Sequence, residues 1–128
     1  MLVSKITPAA TKIIQVNPFQ NETLSGEYMI ITCQKHVIGA IAGTFNDDSV
    51  FNIRFGNIKY EKKPDGTNGN PMLDIVIAAR VTMNQAELAT WGTDDSVIHQ
   101  LAIDKFNKTS GANITIVSSE IMDMQHTA

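Results

Sequence analysis

Several common chemistries are missing from this sequence. Among its 128 residues Cys33 is the only cysteine, which excludes an internal disulfide and any site needing several thiolates, such as structural zinc or an iron-sulfur cluster. Charge is sparse, at 18% of residues, and thirteen Asp and Glu outnumber ten Lys and Arg. The resulting formal charge of -3 has the wrong sign for a protein that grips nucleic acid phosphates. The apolar run Val37–Phe45 ends at Asn46-Asp47-Asp48, too short to span a bilayer. Met1 to Pro8 has no apolar stretch after a basic start, so no secretory signal is read there and an intracellular protein is expected. Also absent are a Gly-rich phosphate loop, a Gly-x-Ser-x-Gly elbow and a His-Glu-x-x-His pair.

What is present suffices for one domain. A chain of this length with 43% apolar residues buries roughly two-thirds of its unfolded surface, enough for a core without staples. Charge is unevenly spread: residues 1–86 hold eight basic and seven acidic side chains, residues 87–128 two and six. The carboxyl-terminal third is the acidic end, either a solvated face or one side of a charge-complementary contact.

Residues 1–27, punctuated by Pro8 and Pro18, read as an extended arm in which only Lys12–Val16 looks like a strand. From Tyr28 the pattern becomes β-rich. Met29, Ile31 and Cys33 share a face, a turn follows at Gln34–His36, and Val37–Phe45 reads as a central strand with small residues on both sides. Asn46–Ser49 is a turn by chemistry. Phe51, Ile53 and Phe55 then alternate, but the apolar phase switches to Ile58 and Tyr60, which predicts a β-bulge at Gly56-Asn57. Glu61 to Pro71 reads as a disordered or partner-facing loop. Asp74–Met83 alternates as a half-buried strand, with Ile75, Ile77, Ala79, Val81 and Met83 inward.

Asn84 and Glu87 have the spacing of a capping box for a short helix ending at Gly92. Thr93 or Asp94 can start a longer helix through about Asn107, with a stripe of Val97, Ile98, Leu101, Ala102 and Phe106. Ile114–Val117 reads as a closing strand, and residues 118–128 as a tail. The expected fold is α+β and mainly β: an antiparallel sheet or a partly open barrel or sandwich, with one short and one longer helix in the C-terminal third. Its parts are an arm (1–27), one β-rich domain (28–117) and the tail.

No catalytic constellation emerges. Cys33 with His36 or His99 is the pair to test, but Cys33 shares a face with Met29 and Ile31 and reads as a small buried hydrophobe. His99 falls on a helix flank, and His126 in the tail. The pairs Asp47-Asp48 and Asp94-Asp95 are a turn and a helix start, and Asp65–Asn70 lacks EF-hand spacing, with Val76 where the twelfth-position Glu would stand. Lys59, Lys62 and Lys63 form a basic cluster diluted by Glu61. No metal, cofactor or catalytic residue is expected.

The arm carries more information. Ile6, Ile13, Ile14, Val16 and Phe19 cannot all be covered by their own segment, so they pack on the domain or on a neighbour. Strand addition to a neighbouring subunit would satisfy both backbone and side chains; folding back as the domain's first strand is the internal alternative. Ile6, Ile13, Ile14 and Phe19, with Lys62, Lys63 and Asp65 from the polar loop, are the candidate subunit-interface residues.

The run Val81–Ser96, with Leu88–Ser96 as its most distinctive part, together with Phe51–Gly56, resembles small virion proteins of short-tailed phages, the crAss-like phages infecting Bacteroidota in particular. The resemblance covers about residues 50–107 and points to head-to-tail ring or connector components, or an auxiliary capsid protein. It implies a non-enzymatic subunit of the virion, assembled in the host cytoplasm as a homo-oligomeric ring, of about twelve subunits in one option. Its partners would be copies of itself and portal or other ring proteins, with no sequence-specific nucleic acid and no membrane. The rivals are a monomeric β-barrel that binds a small molecule, and a thiol enzyme built on Cys33.

Overall fold

The computed structural model describes residues 1–35, 49–84, 86–89, 91 and 94–122. Val37–Phe45, Asn46–Asp48, His36 and His126 lie outside these residues. The chain forms strands β1 (Leu2–Asn17), β2 (Gln20–Lys35), β3 (Ser49–Lys62) and β4 (Asn68–Met83), helix α1 (Asp95–Ser110) and strand β5 (Thr115–Ile121). All described strand pairs are antiparallel, in the spatial order β4-β3-β2-β1-β5. This is the mainly β, α+β fold expected, in its open-sheet form rather than as a barrel.

The expected arm is part of that sheet. Leu2–Thr7 pair with β5 on one side, and Ser4 and Lys5 pair with β2 on the other. The tail likewise begins later than expected, because Ser118–Ile121 complete β5 against Leu2–Lys5. Pro8, which has no N–H to give a ladder, stands where β1 leaves both neighbours before pairing with β2 again at Ala10↔Gly26.

One sheet face carries α1. Ile6, Met29, Phe51, Ile53, Phe55, Val81 and Met83 meet Ile98, Ala102 and Ile103 in the main core. Phe55 packs on Phe106 at 5.4 Å between ring centroids, and Phe51 meets Trp91 edge-on at 5.8 Å. The helix stripe differs from expectation: His99 and Ile103 are buried, whereas Val97 and Leu101 are only partly so.

The predicted irregularity at Gly56 is present, with a different cause. The ladder slips between Phe55↔Ile77 and Gly56↔Ile75, so the extra residue is Val76 on β4. β3 alternates without a break, and Ile58 therefore sits on the other sheet face from Phe55. There it joins a second cluster with Val3, Ile30, Leu73 and Ile75. Ile75 is thus turned away from the face that Ile77, Val81 and Met83 share.

Local chemistry holds the connections. Asn84 and Glu87 form the reciprocal capping box, Asn84 N donating to Glu87 Oε1 (3.1 Å) and Glu87 N to Asn84 Oδ1 (2.8 Å). Of the expected short helix, residues 86–89 form a turn, and its end at Gly92 lies outside the described residues. Glu87 Oε2 also accepts from Lys105 Nζ at 2.8 Å, fastening the turn to α1 and holding the carboxyl below its ordinary range. Glu87→Ala removes both contacts and is expected to destabilise the fold by about 1–2 kcal/mol, a fall in Tm of several degrees by calorimetry. An unchanged Tm would show the turn to be undocked. Asp94 caps α1 by accepting from Ser96 N, and Gly111, at φ 77°, ends it with its N–H on Asn107 O.

Candidate subunit interface

Beyond the five-stranded body the sheet splits into two hairpins. β2 pairs with β3 only from Tyr28↔Gly56 to Lys35↔Val50, so residues 20–26 pair with β1 alone and residues 57–62 with β4 alone. Antiparallel pairing places both hairpin turns, at residues 18–19 and 63–67, at the same end of the sheet. The fork is pinned by backbone proximity and by Asn57, whose Nδ2 donates to Ser25 O (2.8 Å) and whose Oδ1 accepts from Glu27 N (3.3 Å). A Cβ on Gly26 would lie 2.6 Å from Gly56 N, so the two strands approach more closely there than any side chain allows.

The β1–β2 hairpin exposes its apolar residues. Phe19 at the apex is 98% exposed, Ile13 69% and Val16 52%. Alternation places Ile13 with Thr11, Thr23 and Ser25 on one face, and Ile14 with Lys12, Glu22 and Leu24 on the other. Ile14 and Leu24 are half-buried. The apex turn is closed by Phe19 N donating to Asn17 Oδ1 (2.9 Å) and by Asn17 Nδ2 donating to Gln20 Oε1 (3.2 Å).

The candidate interface residues therefore separate into three places. Ile6 is 3% exposed and belongs to the core, so it is no interface residue; its neighbour Ser4 faces α1, and alternation sends Ile6 to the same side. Ile13, Ile14 and Phe19 lie on the first hairpin. Lys62, Lys63 and Asp65 are exposed at the tip of the second. Of the loop expected over Glu61 to Pro71, as disordered or partner-facing, only residues 63–67 lie outside the strands, and they form a short closed turn. Asp65 Oδ1 accepts from Thr67 N (3.0 Å) and Thr67 Oγ1 (2.6 Å), which lowers the Asp65 pKa, and Gly66 N donates to Lys63 O (2.9 Å). Lys62 Nζ donates to Asn68 Oδ1 (2.9 Å), and Asn70 and Pro71 are already in the edge strand β4.

A cleft lies at the base of the first hairpin, with a volume of about 420 Å³. Pro8–Thr11 form one wall and Ser110–Ile114 the other, with Phe106 and Ile77 in its lining. The second wall is held rigidly: Asn107 Nδ2 donates to Ile114 O (2.8 Å), and Ile114 N donates back to Asn107 Oδ1 (3.0 Å).

The chemical candidates are placed differently from expectation. Cys33 is exposed, although its cross-strand partner Phe51 is buried in the core. His99 is 3% exposed, with Nδ1 2.7 Å from Ser4 Oγ, which in turn lies 2.8 Å from Ser119 Oγ. This chain of polar groups joins α1, β1 and β5, and burial depresses the imidazole pKa to about 4 against a weaker opposing pull from Asp95. Ser4 is fully buried, whereas His99 and Cys33 both line one pocket of about 270 Å³, with Ile31, Phe51 and Trp91. Sequence reading missed the polar chain because the serines lie 95 and more residues from their partners or neighbours in the chain. Among the described residues no cluster of three or more His, Cys, Asp or Glu could hold a metal, and no helix is long and apolar enough to cross a membrane. No family model matches the chain, and no curated protein or solved structure matches it.

Proposed function

We propose that this protein is a non-enzymatic structural subunit that assembles with copies of itself, using the β1–β2 hairpin as its projecting contact. The observation that carries this is Phe19, 98% exposed at the apex of a hairpin whose outer part, residues 10–26, no other described strand joins. Leaving a phenyl ring in water forgoes roughly 1.5–3 kcal/mol of burial free energy, a loss that assembly recovers. The hairpin also keeps unpaired backbone edges beyond the sheet, suited to strand addition. The resemblance of Val81–Ser96 to small phage virion proteins supports a setting in the head-to-tail region as a ring, with an auxiliary capsid role as the alternative.

Phe19→Asp tests the reading. The substitution touches no buried contact, so Tm is expected to move by less than about 0.5 kcal/mol equivalent while self-association weakens at least tenfold by sedimentation. Undiminished association would remove the hairpin from the interface.

A further inference from the structure

We infer that the acceptor for the hairpin is the cleft between Pro8–Thr11 and Ser110–Ile114 of a second copy, with Phe19 of one subunit seated in the cleft of the next. This rests on the reading of the chain as a self-assembling subunit and specifies its contact. Residues 16–21 at the apex carry no formal charge, and neither does any residue lining the cleft. Two neutral surfaces meet without desolvating an ion, and two copies of one acidic chain approach there without mutual repulsion.

Size and order agree. A cleft of about 420 Å³ accommodates a phenyl ring, and Phe106, Ile77 and Ala112 supply apolar lining. Its far wall is preformed by the αL turn at Gly111 and the two-way bond between Asn107 and Ile114, so little ordering is needed on binding. Ser110, Asn113 and Thr11 bring polar groups to the same cleft, where a neighbour's turn backbone can be met.

The same chain cannot satisfy both halves. Nine residues of extended strand separate Ala10 in the cleft wall from Phe19, a span of about 30 Å. The contact must therefore be made between copies, and because knob and hole are different surfaces it is heterologous, closing into a ring or running on as a filament. Phe19 buries about 150–250 Å² on one partner, well below the roughly 800 Å² per partner of a stable interface. One such contact is weak, and assemblies gain their stability from closure and from the hairpin flanks.

The test uses two variants of the full chain. Phe19→Asp spoils the knob, and Asn113→Trp, at an exposed position, fills the hole. Thr11→Trp, also exposed, serves as the second hole-filling variant in case the first fails to fold, circular dichroism being the check. Each variant alone is expected to remain at 14.0 kDa, and an equimolar mixture at high concentration to give a species of twice that mass and no larger, since one knob and one hole survive. If Asn113→Trp and Thr11→Trp assemble like the parent while Phe19→Asp does not, the cleft is overturned and the hairpin reading stands. If Phe19→Asp assembles, both fall. A lowered Tm with unchanged assembly in the hole variants would assign the cleft to this chain's own residues and overturn the inference, as would a mixture that stays monomeric.

Discussion

Gly56→Ala is expected to cost about 3–5 kcal/mol, a large part of the roughly 5–15 kcal/mol that holds a domain of this size together. A Cβ built on Gly56 lies 2.1 Å from Asp74 O and 2.8 Å from Asp74 C. Both are backbone atoms of a paired strand, so relief requires breaking the ladder where β4 carries its extra residue, Val76. The same strand segment is met from the β2 side by Gly26, whose added Cβ would lie 2.6 Å from Gly56 N, so the fork between the hairpins depends on both glycines. Urea denaturation measures the effect, and a loss under about 1 kcal/mol would show that the bulge can relax around a methyl group.

The second large effect is on acid stability. In the unfolded chain His99 titrates near 6.5, whereas in the fold burial holds it to about 4. Between these values the unfolded chain binds a proton that the folded chain refuses, so the stability present above pH 6.5 is lost as pH falls toward 4. The gap corresponds to about 3 kcal/mol. Ser4 bonds the ring and is itself bonded to Ser119, and the charge of Asp95 acts in the opposing direction. His99→Asn is expected to flatten the curve in this window relative to the parent chain. Equal pH dependence in both would place the acid-sensitive group elsewhere.

Local features were the most legible in the sequence. The capping box at Asn84 and Glu87, the Asp94 cap and the strand through Asn52, Ile53 and Phe55 each depend on neighbours a few residues apart, and each lies where the pattern places it. The phase switch at Gly56 was visible, yet sequence alone attributes it to an extra residue in β3; the sheet instead begins to use its second face, and only the register shows the extra residue to be Val76. In the sequence β1 reads as part of an arm because Pro8 and Pro18 punctuate its short apolar stretches, and half of its length has no core to face. The burial of His99 is not legible in the sequence because its imidazole is placed inside by Ser4 of β1, a partner that periodicity cannot supply. Ile13, Ile14 and Phe19 were singled out as apolar residues without an evident internal partner, and the hairpin leaves Ile13 and Phe19 exposed. Ile6, chosen on the same grounds, was claimed by the core.

Self-assembly through the exposed hairpin is the central proposal. The most direct measurement is the solution mass of the full chain by light scattering over about a hundredfold range of concentration, with electron microscopy of any large species. The expected result is a mass that rises from 14.0 kDa to a defined multiple, seen as closed rings, and that stays at the monomer value for Phe19→Asp. A mass of 14.0 kDa at every concentration for the parent chain would contradict it.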